Sequence, residues 1–316
     1  MPPIFTVTLN PGLDRTLTVD TLRENSVLRA QSSRLDWGGK GFNVARALHA
    51  LGISSTALGF VGGFTGQMLV QGLTDLGIAG DFVTVQGETR TNTVFEEAAC
   101  EAGGSGRYFK VNEAGPPVRD ADLAALHARV AAHLTPGSRW ALCGSLPPGA
   151  PHDTYARLIR QIHAGGGIVY LDAAGDALRA GLTAAPDWVK PNAEEAAELS
   201  GTPVDNLAQA QRAAQALRDG GAQAVALSLG AAGLLLVSAQ SACHAQPPRI
   251  TPQTVVGVGD ALLAGLLDAH RQQLGPQTSA RWAVACGTAA AMTPGVGVGS
   301  LAQVQQVAAQ VHVTSL

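Results

Sequence analysis

The chain has 316 residues, 46% of them hydrophobic and 14% charged, with a net charge of −3 from 21 basic and 24 acidic side chains. This balance excludes a disordered polymer, and without a basic run it gives no footing to a nucleic-acid or anionic-membrane partner. No apolar stretch reaches the ~18 residues of a membrane span, and MPPIFTVTLNPGLD at the start has no basic or long apolar segment, so a cytoplasmic protein without a signal peptide is expected.

Residues 4–9 (IFTVTL) read as a strand closed by Asn10-Pro11-Gly12. Val44, Ala47, Leu48 and Leu51 fall at helical spacing, and Gly52 caps that helix. A strand and turn (SSTALGFVGG) and a helix over residues 65–76 follow, the latter closed by Gly77. Further on, a helix over 153–164 leads into a strand over 168–172, and a helix over 207–218 leads into a strand over 224–229. Helices over 260–272, 278–292 and 301–311 end the chain. This alternation implies a mostly parallel sheet covered on both faces. Residues 14–37 and 89–111 break the rhythm and read as antiparallel strands, the second a hairpin around Gly103-Gly104. Together they would form a small sheet over the edge where open α/β sheets bind ligands.

The cysteines (Cys100, Cys143, Cys243, Cys286) lie far apart without a CxxC pair, which fits neither zinc nor a disulfide framework and suits a reducing compartment. Only three of the 21 basic residues are lysines, namely Lys40, Lys110 and Lys190. Nucleotide bias toward arginine codons explains the imbalance, and a lysine present despite it points either to a need for a compact ammonium charge or to chance survival.

The segment QTVVGVGDALLAGLLDA places a β-rich run, then Gly257-Val258-Gly259, then Asp260 at the start of an apolar helix. Free amides of a first helical turn form an anion site suited to phosphate, and a carboxylate beside them suits a base for an attacking hydroxyl. An ordinary Asp N-cap explains the same pattern. Trp37-Gly38-Gly39-Lys40-Gly41-Phe42-Asn43 runs into a helix and suits close contact with a polar ligand, or a glycine turn with Asn43 as N-cap. It is not a P-loop, because Arg34 and Gly41 occupy defining positions, and Val44 breaks the dinucleotide fingerprint. In Lys190-Pro191-Asn192-Ala193-Glu194-Glu195 the Asn192/Glu195 spacing suits Mg²⁺ and equally a capping box. The turns GSLPPG (with Ser145) and SLGAAG (Ser228, Gly230, Gly233) can line a ligand or serve as plain loops, and Arg90 in TRTN can be a solvated strand residue. Neither GxSxG nor HExxH occurs, and the eight histidines show no metal spacing.

Taken in order, TLNPGLD, GGKGFNVARAL, TRTN, GSLPPG, VKPNAEE, SLGAAG and GVGD resemble the signature set of the PfkB (ribokinase-like) sugar kinases, from about residue 9 to about residue 297. The forms TLNP–LD, GGKG-NVAR and FKVNEAGP resemble the branch containing 1-phosphofructokinase and tagatose-6-phosphate kinase. The resemblance implies a three-layer α/β/α domain (residues 1–13, 38–88 and 112–316) with a small β lid (14–37 and 89–111). It implies ATP and Mg²⁺, with a sugar phosphate as partner. Fructose 1-phosphate is favoured as acceptor, with tagatose 6-phosphate and fructose 6-phosphate as rivals. A non-catalytic binding protein and a dinucleotide oxidoreductase are readings of other classes.

By the same resemblance Asp260 corresponds to the catalytic base, with Gly257, Val258 and Gly259 as its anion hole. Asp14, Gly39 and Asn43 correspond to sugar-hydroxyl positions. Arg90 and Lys40 suit the substrate's phosphate, Arg29 and Lys110 are further candidates, and Ser145 joins the substrate group. Lys190, Asn192, Ser228, Gly230 and Gly233 fall on the nucleotide side, and Asn192 with Glu195 on the metal. Val258 stands where the family has alanine and Val255 where it has threonine, which raises the prospect of a crowded phosphate site. Apolar Val94, Phe95, Tyr108 and Phe109 on the lid imply a homodimer through that sheet.

Overall fold

The computed structural model describes residues 2–98, 107–295 and 297–316. In chain order the elements are β1 (Ile4–Thr8), β2 (Gly12–Val19), β3 (Ala30–Gly38), α1 (Lys40–Ala50), β4 (Thr56–Val61), α2 (Gly63–Asp75), β5 (Ala79–Thr84), β6 (Arg90–Glu97) and β7 (Tyr108–Val111). They continue with α3 (Asp120–His133), β8 (Arg139–Cys143), α4 (Thr154–Ala164), β9 (Ile168–Asp172), α5 (Gly175–Leu182), β10 (Trp188–Val189), α6 (Ala193–Ser200), α7 (Leu207–Asp219) and β11 (Ala224–Ser228). A short 3-10 turn (Gly230–Ala232), β12 (Leu234–Val237), β13 (Ala242–Gln246), α8 (Val258–Arg271), α9 (Pro276–Ala291), α10 (Leu301–Ala308) and β14 (His312–Ser315) complete them.

The large sheet has the order β14-β13-β12-β11-β10-β9-β8-β1-β4-β5. From β5 to β11 its strands run parallel, and β12, β13 and β14 extend it antiparallel. The parallel strands are buried on both faces and read as continuous apolar runs such as IFTVT and RWALC. One face packs on α3, α4, α5 and α7 through Leu126, Tyr155, Leu158, Leu178 and Leu217. The other packs on α1, α8, α9 and α10 through Leu48, Leu263, Leu266, Ala283 and Val304. Each fully buried Leu contributes about 1.5–3 kcal/mol, so these two layers carry the stability that holds the strand ends in place.

The small sheet has the order β3-β2-β6-β7. The expectation of antiparallel strands holds for β2–β3 and β6–β7, but the central β2–β6 pair is parallel. Both of these strands start beside each other at Gly12 and Arg90 and run in one direction, so only their partners return. The predicted turn at Gly103-Gly104 and Cys100 lie outside the described residues. Cys143, Cys243 and Cys286 are free and buried.

Three local expectations are corrected. The run at 254–256 is a turn, with Val255 82% exposed, because the chain returns from β13 through a loop with no strand edge beside it to pair with. Helix α1 starts at Lys40 with Gly39 at its cap, so Asn43 is a helical residue and its side chain is free for other work. The β12–β14 extension escapes a reading based on parallel alternation, since a hairpin at 238–241 sends the chain back along the same edge.

Candidate active site

At the end of β9, Asp172 is 0% exposed. Its Oδ1 lies 2.8 Å from Lys40 Nζ at the start of α1, and its Oδ2 lies 2.9 Å from Lys190 Nζ just after β10. A lone buried carboxylate would be costly, and two ammoniums offset that cost. Burial pushes the Asp172 carboxyl up, but Lys190 and Lys40 outweigh it and hold the group below the ordinary carboxylate range. Burial lowers the Lys40 ammonium, yet Asp172, Glu195 and Asp260 overcome this and hold it above its ordinary value.

Asp260 is the third residue of α8 and is 7% exposed. It is not the N-cap. Gly257 holds that position with φ 76°, a left-handed conformation that suits glycine. The Asp260 side chain turns inward, where Oδ2 accepts a 2.8 Å hydrogen bond from Asn43 Nδ2. Burial, then the Asp172 charge, push its pKa up to about 6, opposed by the Asn43 bond and the two lysines. The first-turn amides at 258–260 lack intrahelical partners by helix geometry. A Cβ at Gly259 would stand 3.4 Å from Lys190 Nζ, so this turn lies against that ammonium.

On the neighbouring strand end, Asn192 and Glu195 form a reciprocal capping box. Asn192 Oδ1 accepts from the Glu195 amide at 2.8 Å, and Glu195 Oε2 from the Asn192 amide at 2.9 Å. The other Glu195 oxygen lies 4.0 Å from Lys40 Nζ. Ser228 closes β11 and donates from Oγ to the Pro191 carbonyl at 3.2 Å. Gly230 is exposed, and Gly233 (φ 94°) fits where a Cβ would stand 2.0 Å from the Ala245 carbonyl oxygen.

A second group sits where the small sheet meets the large one. Asp14 accepts from Asn92 Nδ2 at 2.8 Å, and its carboxylate lies directly over Gly38, where a Cβ would come within 2.4 Å of Oδ2. Arg90 donates to the carbonyls of Asn10 (2.9 Å) and Glu113 (3.1 Å). Asn10 in turn donates to Ser145 Oγ at 3.4 Å. Gly38, Gly39 and Lys40 are consecutive, so one turn joins this group to the Asp172–Asp260 group. Lys40 belongs to the latter and not beside Arg90. Arg29 is exposed ahead of β3 at the outer end of the small sheet, and Lys110 is exposed opposite Val94, so neither joins the two groups.

The profile described as "pfkB family carbohydrate kinase" matches residues 9–302. The chain belongs to that family. As a pfkB kinase it is an ATP-dependent sugar kinase. It is 34% identical to the 1-phosphofructokinase of Vibrio cholerae serotype O1 over 313 residues, 99% of this chain and 97% of that protein. With the 1-phosphofructokinase of Xanthomonas campestris pv. campestris it shares 38% over 266 residues, 83% of this chain and 82% of that one. The structure of Escherichia coli phosphofructokinase-2 in complex with potassium superposes with a TM-score of 0.91 at 29% identity, covering 98% and 99% of the two chains.

Two features of this pfkB kinase were not anticipated from its motifs. Asp172, Asn10 and Asn92 hold the site together, yet none was singled out. The signal for Asp172 lay in the lysines, because two retained ammoniums that enter a buried edge require a carboxylate between them. The bulk of Val258 also has an outlet. A Cβ at Gly287 of α9 would stand 3.6 Å from Val258 Cγ1, so the valine side chain packs on that glycine and its amide stays available.

Proposed function

We propose that this pfkB kinase is a 1-phosphofructokinase, which transfers the γ-phosphoryl group of ATP to the primary hydroxyl of fructose 1-phosphate and yields fructose 1,6-bisphosphate and ADP. The observation that carries the reading is Asp260: a buried carboxylate with a raised pKa, fixed by Asn43, at the open first turn of α8. The names of the relatives at 30–38% identity support the choice of sugar.

The hydroxyl oxygen attacks the γ-phosphorus as Asp260 takes its proton, and the bond from that phosphorus to the β–γ bridging oxygen breaks to release ADP. The amides at 258–260 and the Lys190 ammonium receive charge on the transferred group. Asp14, held by Asn92 over Gly38, takes sugar hydroxyls, with Gly39 and Asn43 beside it. Arg90 serves the 1-phosphate, whereas Arg29 and Lys110, exposed away from both groups, are given no part in it. Ser145 completes the acceptor side, and Ser228, Gly230 and Gly233 border the nucleotide. The small sheet, residues 14–37 and 89–111, acts as the lid that excludes water, over the larger unit of the remaining residues.

Among the described residues no three His, Cys, Asp or Glu side chains gather as a metal cage. The donors present fit a Mg²⁺ that arrives with the nucleotide, because Asn192 and one Glu195 oxygen are used in the capping box while the other Glu195 oxygen faces the cleft. When bound, Mg²⁺ supplies charge neutralisation to the phosphates. No helix among the described residues is long and apolar enough to cross a membrane, and the reading places the enzyme in the cytoplasm. The exposed aromatic side chains of Tyr108 (67%) and Phe109 (58%) on the small sheet support a homodimer through that sheet.

A coupled ADP-release assay with fructose 1-phosphate, fructose 6-phosphate and tagatose 6-phosphate tests the assignment. The expected result is the highest kcat/KM with fructose 1-phosphate. A higher value with fructose 6-phosphate, the ligand in an Escherichia coli phosphofructokinase-2 structure that superposes at TM-score 0.89, overturns it.

A further inference from the structure

A pocket of about 420 Å³ opens on the edge of the large sheet opposite the active site. Its lining includes Asp187, Trp188, Gln223, Ser238, Gln240 and His270. The size falls within the range of small-molecule sites. Nothing in the proposed kinase chemistry uses it.

The aromatic floor is an ordered network. The Trp188 indole packs on the His270 imidazole with ring centroids 4.7 Å apart. Tyr170 Oη meets His270 Nδ1 at 2.8 Å, with the phenol as donor to the neutral ring. This leaves Nε2–H as the donor that His270 can offer a ligand. Burial, with the Arg139 charge, lowers the His270 pKa to about 4, so the ring is neutral at physiological pH. Asp187 uses Oδ2 for His163 and for the amide of Val169, which leaves Oδ1 as an acceptor. The pocket therefore offers an aromatic surface, one neutral N–H donor, one carboxylate oxygen and side-chain amides. Among the described residues no cation lines it to receive a phosphate.

The floor also sits on the elements that build the active site. Trp188 is two residues before Lys190, Tyr170 two before Asp172, and His270 lies in the last turn of the helix whose first turn carries Asp260. Trp188 and Tyr170 are register partners across β10 and β9. A shift at the floor is thus transmitted along two adjacent strands and one helix, ~15 Å long between residues 260 and 270, to the three charged groups of the cleft.

We propose that this pocket is an effector site for an uncharged purine-type base or nucleoside. The base stacks on the Trp188–His270 pair, donates an amino N–H to Asp187 and accepts at a ring nitrogen from His270. Its occupation changes the kinetics of the site at the far end of α8. The coupling rests on the Asp260-centred reading above, whereas the binding does not.

Calorimetric titration of the full chain with adenine tests it, with saturating Mg²⁺ and a non-hydrolysable ATP analogue to fill the nucleotide site. Adenine is expected to bind saturably, AMP at least about tenfold more weakly because its phosphate would be desolvated where no cation lines the pocket. Ala239→Trp, which fills the pocket from its exposed rim, is expected to abolish binding and keep basal turnover. Absence of saturable binding at millimolar adenine, binding unaltered in Ala239→Trp, or equal affinity for AMP overturns the site. In the kinase assay adenine is expected to change kcat or KM at least twofold in the wild type and not in Ala239→Trp. Binding that leaves both constants unchanged overturns the coupling while the function assignment stands.

Discussion

Asn43 Nδ2 donates to Asp260 Oδ2 at 2.8 Å across 217 residues of sequence, and both side chains are buried. The bond joins the second turn of α1 to the first turn of α8. It fixes the carboxylate's direction and favours its ionised form.

The pH dependence of turnover follows. Asp260 titrates near 6 and acts as a base only when ionised, so kcat/KM should rise with pH through about 6 and level off above it. Asn43→Ala removes a bond that favours the carboxylate, so the acid limb should move to higher pH. A limb that stays in place contradicts the role given to Asn43, whatever happens to KM.

Stability should respond oppositely at the two buried carboxylates. Asp260 has a raised folded-state pKa, so its stabilising contribution is full in acid and is lost as pH rises through about 6. Asp260→Asn should therefore melt no lower than the wild type at pH 7.5. The unpartnered Asn43 Oδ1 can accept from the new amide once the Asn43 side chain flips. Thermal melts at pH 5 and 7.5 check this, and a large loss at pH 7.5 contradicts it.

Asp172→Ala leaves two ammoniums facing each other. Lys40, with 39% of its side chain accessible, can turn to water, but Lys190, with 7%, cannot. Breaking such a buried pair costs about 3–5 kcal/mol. Urea denaturation should show that loss, and the double variant Asp172→Ala/Lys190→Met should recover part of it. Because Asp172 is held below its ordinary pKa, its contribution is present at neutral pH and fades as pH falls below the carboxylate range.

Gly233→Ala places a Cβ 2.0 Å from the Ala245 carbonyl oxygen at φ 94°. The strain should cost about 1–3 kcal/mol and displace the turn after Ser228. The expected signature is a raised KM for ATP with a smaller change in that for the sugar phosphate.

The parallel core was readable because strands buried on both faces, such as IFTVT and IVYLD, appear as unbroken apolar runs between amphipathic helices. The glycine-flanked Asp260 and the Asn192/Glu195 pair were readable because each lies in a short local pattern. What long-range pairing decides was not. Asp172 looks like any strand-end acid until Lys40, 132 residues away, folds against it. Asn43 reads locally as an N-cap, and only the docking of α8 on α1 shows that its amide serves Asp260. The parallel β2–β6 pair depends on where two distant segments leave the large sheet, and no local period encodes that.

The most direct test is single-turnover phosphoryl transfer by Asp260→Asn, with nucleotide affinity measured on the same sample. General-base loss predicts a fall in the transfer rate of about 10²–10⁴-fold, with ATP affinity near that of the wild type. A transfer rate within a few-fold of the wild type, on a folded and nucleotide-bound variant, contradicts the assignment of Asp260 as the base.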